Sequence, residues 1–154
     1  QAKTLFPYTT LFRSKLLLPD VSPNLGNFMI SATNVAARIV SGDYYDFIPV
    51  DAQHTGVVIA DVSGKGIAAS LVMTTCRGLL RGLAGGLESP SQALSKVNRM
   101  IYEDVKQDMF ISLAYVMLQE ASGKVTLSRA GHDAPLLYSS RTGEVTALKP
   151  PGLP

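Results

Sequence analysis

The chain has one cysteine, Cys76, two histidines, His54 and His132, and no tryptophan in 154 residues. A single thiol forms no internal disulfide, and one cysteine with two histidines makes no zinc or iron–sulfur ligand set. Any metal held here is held by oxygen. Charge is sparse as well: 17% of residues are charged, and the formal net charge is +2. That surplus comes from Lys3 and Arg13 in residues 1–14, which contain no acid, so the remainder is balanced. Without a basic patch there is no diffuse positive field to attract nucleic acid or an anionic membrane, and contact with neither is expected. No apolar run approaches the roughly 18 residues of a bilayer span, and no secretory signal pattern is present. A cytoplasmic protein is the expectation.

What is present suits one compact domain, with 46% hydrophobic residues, 13 glycines and 9 prolines. Residues 1–14 stand apart. The stretch Thr4 to Ser14 (TLFPYTTLFRS) has strand-like composition without alternation and runs on without a turn signal. Its last ten residues can be encoded by a stretch that resembles a widely used sequencing adapter. They read either as translated adapter or as a linker from an upstream domain, and in neither case do they inform function. The domain is taken as residues 15–154.

From Lys15 to Asn27 an apolar start gives way to Pro19, Asp20, Pro23 and Gly26, a loop. Phe28 to Ala37 alternates as a strand. Asp43 to Val50 is aromatic and β-branched, a second strand with Pro49 near its end. Gly56 to Ala60, ending at Asp61, is a nearly continuous apolar run that suits a buried strand. After Gly64-Lys65-Gly66 the period turns helical, with Leu71, Val72, Thr75, Leu79 and Leu83 as the apolar stripe until Gly85-Gly86. Ser89 as N-cap, Pro90 behind it and Gln92 open a second helix. Its stripe is Leu94, Val97, Ile101 and Val105, and its end is placed near Asp108. Strands return at Met109 to Leu118 and Lys124 to Ala130, then at Pro135 to Tyr138 and Glu144 to Leu148. Strands, a helix pair and more strands predict an α+β fold with antiparallel sheets.

The acids are the informative feature. Asp43 opens one predicted strand and Asp61 closes the next, so a hairpin returns both carboxylates to the same sheet end. They share a face only if paired positions sum to an even number, as with Val50 opposite His54 across a short loop. Two carboxylates beside backbone carbonyls and water form a hard-oxygen site for Mg²⁺ or Mn²⁺, with calcium also compatible. Such ions activate water and neutralise phosphate oxygens, the chemistry of phosphate-ester hydrolysis. The Gly64-Lys65-Gly66 loop lacks the length and the Ser or Thr of a Walker loop. His132 reads as a general acid or, more commonly for such a residue, as a turn held by hydrogen bonds. Cys76 reads as a small core residue, and Tyr44 and Tyr45 as one buried and one half-buried strand position. No nucleophile elbow or hydrolase triad is evident.

Taken together, SGDYYDF at 41–47, VVIADVSGKGIAASLVM at 57–73, MFISLAYVML at 109–118 and AGHDAPLLY at 130–138 resemble bacterial PPM-type serine/threonine phosphatases of the stage II sporulation protein E class. LLLP at 16–19 and the closing PPGLP fall in similar places. The resemblance implies an α-β-β-α sandwich, two antiparallel sheets covered by helices, with a binuclear Mn²⁺ or Mg²⁺ site at one end. By position Asp43 matches a metal-binding aspartate, Asp61 the aspartate that contacts both ions, and Val62 the residue giving a carbonyl ligand. Asp46 lies in the motif without an assigned role. The resemblance also implies a phosphorylated regulatory protein as substrate, of the anti-sigma-factor antagonist type. The sequence departs at Asp133, where the family has Asn, and at Ala134, where Pro is frequent. The chain ends at Pro154, ahead of the family's later strands and downstream aspartates. An incomplete site with poor turnover, open sheet edges and self-association, a homodimer included, is expected. The rival reading is a non-catalytic partner-binding module of the same fold.

Overall fold

The structure, a computed structural model, describes residues 17–35, 42–64, 66–86, 89–105 and 109–150. Residues 1–14, the Lys15-Leu16 start of the leading loop, Ala36-Ala37, Lys65, the expected helix end at Asp108 and the closing PPGLP motif beyond Pro150 lie outside the described residues. The elements run β1 (Tyr44–Pro49), β2 (His54–Val62), α1 (Ile67–Leu83), α2 (Pro90–Ile101), β3 (Ile111–Gln119), β4 (Lys124–Ala130), β5 (Leu136–Ser139) and β6 (Glu144–Ala147). β1 to β4 form one antiparallel sheet in sequence order, and β5 pairs with β6 in a second sheet. The α+β class with two antiparallel sheets therefore holds.

The β1–β2 register follows from its turn. Asp51 Oδ1 accepts the backbone N–H of Gln53 at 2.7 Å and of His54 at 2.9 Å, and Val50 N donates to His54 O at 2.9 Å. These bonds also hold the exposed Asp51 carboxyl below its ordinary range, the Gln53 N–H contributing most. The side chain substitutes for missing backbone partners and fixes a tight connection. Tyr44 then pairs with Ala60, and each later pair keeps the same even sum. Even positions of β2 (Val58, Ala60, Val62) are buried under the helices, whereas Ile59 and Asp61 on the other face are exposed.

α1 packs on β1 and β2, and α2 on β3 and β4. α1 buries Ala69, Met73, Cys76 and Leu80. The expected stripe is thus turned by about one residue: Leu71 is 63% exposed and Thr75 faces solvent, while Val72, Leu79 and Leu83 flank the core. Small Ala69 and Cys76 are what let the helix axis approach the sheet, and a count of large apolar residues overlooks them. Ile67–Gly86, 20 residues with its terminal turn, is long and apolar enough by composition to cross a membrane, contrary to the reading of continuous runs. Its buried face lies on the sheet, and Arg77 and Arg81 point to a carboxylate of β1.

α2 begins as expected, Ser89 Oγ accepting Gln92 N at 3.4 Å with Pro90 behind it. It ends at Ile101, earlier than Asp108, in a turn closed by the Val105 N–H on Ile101 O at 3.1 Å. Val105 keeps its apolar contact from the turn instead of a helical turn. Phe28 to Val35 forms no strand: Leu25 and Phe28 make one isolated bridge, Met29 is fully exposed, and no described strand lies alongside to satisfy its backbone. Alternation gives a strand only where a partner edge exists. The leading loop is instead tied across the open face by Tyr45 Oη donating to Pro19 O at 2.8 Å and Asn27 Nδ2 to Glu120 O at 2.9 Å.

Candidate functional site

The pairing continues two residues past Tyr44–Ala60, since Val62 N donates to Gly42 O at 3.4 Å. Asp43 and Asp61 are therefore opposite each other on the open face, as the even-sum register requires. Gly42 permits this closeness: a Cβ there would lie 2.6 Å from the Val62 carbonyl oxygen and 3.3 Å from Val62 Cβ. The Val62 side chain is buried under the helices, and its carbonyl lies at the same strand end as the two acids.

Burial first, and the Asp43 charge second, push the Asp61 carboxyl above its ordinary value of 3.8, and the two carboxyl groups are close enough to share a hydrogen bond. His132 opposes the shift. Like charges held this close disfavour joint ionisation unless a cation lies between or beside them. The donors are all oxygen, which fits a hard divalent ion. Among the described residues no group of three or more His, Cys, Asp or Glu side chains is arranged to hold a metal. The pair would be completed by carbonyl oxygen and water.

Asp43, Asp61 and His132 line one open cleft of about 610 Å³, bounded on one side by Ser31, Thr33 and Asn34 of the leading segment. A second cavity of about 270 Å³, between α2 and β3, is lined by apolar side chains and Asn98, with no charged group, and suits no phosphate chemistry.

His132 does more than hold a turn. Ser112 pairs with Asp61 across β2–β3 and so faces the same way, and its Oγ lies 2.9 Å from His132 Nδ1. Arg129 Nη1 donates to His132 O at 2.8 Å, and Gly131, with φ +62°, bridges to Leu113. The ring bonds Ser112 of β3, the Arg129 bond holds the backbone of its own segment, and together they set the ring beside Asp61. The available sequence signal was Ser112, two places into a strand whose alternate residues share the face of Asp61.

Asp46 belongs to the opposite face. It is 0% exposed and accepts from Tyr44 Oη at 2.7 Å, Phe47 N at 2.9 Å, and Arg81 Nε and Nη2 at 2.6 Å each. The bidentate bond raises the Arg81 pKa, and burial with the Asp46 bond keeps the Tyr44 phenol un-ionised. This carboxylate fastens α1 to β1 and takes no part in the cleft. Ser63 also has a structural role: its N–H donates to Phe110 O at 2.9 Å while its Oγ accepts Phe110 N at 2.8 Å, tying the loop after β2 to the approach to β3. Cys76 is a core residue, 1% exposed, its thiol pushed up to about 11 by burial. Tyr44 is buried and Tyr45 half-buried, as expected.

These features can be set beside known proteins. The Stage II sporulation protein E (SpoIIE) family pattern matches residues 51–154. Phosphoserine phosphatase RsbU of Bacillus subtilis (strain 168) is 35% identical over 124 residues, 80% of this chain and 37% of that protein. The chain thus spans little more than a third of that relative's length. The PP2C phosphatase domain of SpoIIE from Bacillus subtilis, solved with a fragment of its regulatory domain, matches with TM-score 0.63 at 17% identity, over 75% of this chain and 34% of that one. RsbX, solved in complex with magnesium, matches with TM-score 0.58 at 18% identity, over 72% of this chain and 52% of that one. The two structures share the fold. With the family pattern extending over more than half of the sequence, from the β1–β2 turn onward, the chain belongs to the stage II sporulation protein E family.

Proposed function

We propose that this chain is part of a metal-dependent serine/threonine protein phosphatase and that Asp43 and Asp61 are metal ligands of its site, joined by the Val62 carbonyl. The observation that supports it is the facing pair of carboxylates at one sheet end, with Asp61 pushed up by burial and by its neighbour. Nothing in a purely partner-binding surface calls for two acids held against their mutual repulsion. Mg²⁺ or Mn²⁺ fits the oxygen donors, and the magnesium in RsbX supports a divalent ion of this kind. When bound, the ion supplies Lewis acidity for water activation and for neutralising phosphate charge. The chain's own contribution is geometric. The Asp51 turn sets the register, Gly42 lets the strand ends close, and the half-open cleft leaves room for a phosphorylated side chain.

The likeness to RsbU supports phosphoserine or phosphothreonine on a cytoplasmic regulatory protein, of the anti-sigma-factor antagonist type, as the substrate class. The test is hydrolysis of a phosphoserine peptide and a phosphotyrosine peptide with and without Mn²⁺, in the parent and in Asp61→Asn. Metal-dependent release of phosphate from phosphoserine, lost in Asp61→Asn, is the expected result. Release that ignores both metal and Asp61 contradicts the proposal, and Mn²⁺ binding without turnover favours the non-catalytic module.

A further inference from the structure

We infer that His132 is a substrate-contacting residue of the cleft, its Nε2–H donating a hydrogen bond to an oxygen of the phosphoryl group. The inference rests on the phosphatase reading and adds to it a donor from outside the carboxylate pair. One group fixes the ring and another fixes its backbone. Ser112 Oγ engages Nδ1 at 2.9 Å, and Arg129 Nη1 holds the residue's own carbonyl at 2.8 Å. Ser112 is the β3 partner of Asp61, so the ring is referenced to the same strand pair as the acid. His132 also lines the cleft that Asp43 and Asp61 line.

With Nδ1 engaged, Nε2 is the ring atom left for the cleft. The tautomer is assigned from this network. A serine hydroxyl either donates or accepts, but a lone pair on Nε2 is disfavoured in a cleft lined by two carboxylates, whereas an N–H there is favoured by them. Ser112 O–H then donates to Nδ1, and Nε2 carries the hydrogen. A fixed donor beside a divalent-ion site meets the remaining need of a phosphoryl group, whose oxygens outnumber what one cation neutralises. Ser112 is accordingly a positioning residue.

The test uses the ¹⁵N-labelled full chain with diamagnetic Mg²⁺ and inorganic phosphate as the probe. The sequence has two histidines, so a His54→Gln variant assigns the ring signals without ambiguity. Phosphate is expected to shift the His132 ring resonances saturably, in the Nε2–H pattern, and to leave those of His54 still. His132→Ala should weaken phosphate about tenfold, the loss of one charge-assisted hydrogen bond, while Mg²⁺ affinity stays within about twofold. Ser112→Ala should weaken phosphate less and mix the ring tautomers, and His132→Gln should recover part of the loss. Bound Mg²⁺ with a His132 ring indifferent to phosphate overturns the inference alone. Equal loss of Mg²⁺ and phosphate affinity in His132→Ala also overturns it, because the residue would then be supporting the acids. If Mg²⁺ moves no resonance of Asp43 or Asp61, the phosphatase reading fails and the inference fails with it.

Discussion

The clamp between β1 and α1 has a backup, and its energetics can be worked from the distances. Asp46 is fully buried and receives both Arg81 bonds at 2.6 Å, while Arg77 Nε is buried, makes no hydrogen bond and lies 3.7 Å from Asp46 Oδ2. Removing one partner of a buried pair costs about 3–5 kcal/mol when a charge is stranded. Here the Arg81 side chain is 41% exposed, so solvent screens the pair, and Arg77 can close the remaining gap. Arg81→Met is therefore expected to cost about 2 kcal/mol, toward the lower end for a hydrogen bond to a charged group. Arg77→Met alone should cost under about 1 kcal/mol, since it removes an unbonded partner. Together they strand the carboxylate with only Tyr44 Oη and the Phe47 N–H, and the double variant should lose about 4–5 kcal/mol, exceeding the sum. Urea unfolding followed by circular dichroism measures all three, with the m-value checked for constancy. Additivity within about 0.5 kcal/mol would refute the substitution of one arginine for the other.

Other perturbations follow from the same geometry. Gly56→Ala should destabilise by about 1–3 kcal/mol, because the new Cβ would lie 2.5 Å from Tyr115 Cε2 and the buried ring has nowhere to swing; an unchanged melting temperature would refute this packing. Gly42→Ala should cost about as much and also weaken divalent-ion binding relative to Gly56→Ala, since its Cβ would press on the Val62 carbonyl; equal metal affinity in both variants would count against it. Cys76 should react with a thiol reagent at pH 8 only as fast as the fold opens, its thiol being buried with a pKa near 11; the rate should rise with sub-denaturing urea. For metal-free protein, the raised Asp61 pKa means that the contribution of this group to stability is fully present below 3.8 and is lost as pH rises through the folded-state value, against the opposite trend of Asp51. Asp61→Asn should flatten that decline and leave the variant more stable than the parent at pH 7 without metal, as melting curves across pH would show.

The hairpin and its acids were legible in sequence because both rest on local rules. Asp51 makes a turn with its own side chain, strands alternate, and an even register then forces Asp43 and Asp61 together. The helix pair was legible at its starts, where Ser89 and Pro90 signal in one dimension, and less so at its end near Ile101, where a turn holds Val105 in the core by tertiary contact. The α1 stripe was misplaced because Ala69 and Cys76 are buried for closeness, which volume-blind periodicity does not weigh. The Phe28–Val35 strand failed because pairing is a property of neighbours, not of the segment. Asp46 could be separated from Asp43 by parity alone, yet its arginine partners lie 31 and 35 positions away, on a helix whose rotation was unknown.

Calorimetric titration of Mn²⁺ into the parent chain, Asp43→Asn and Asp61→Asn shows whether the facing acids hold a divalent ion. Saturable binding by the parent is expected, weakening as pH falls through the raised Asp61 pKa, with at least tenfold weaker binding by each variant, of the order expected when a ligand to a hard cation loses its charge. Equal Mn²⁺ affinity in the parent and both variants would contradict this expectation.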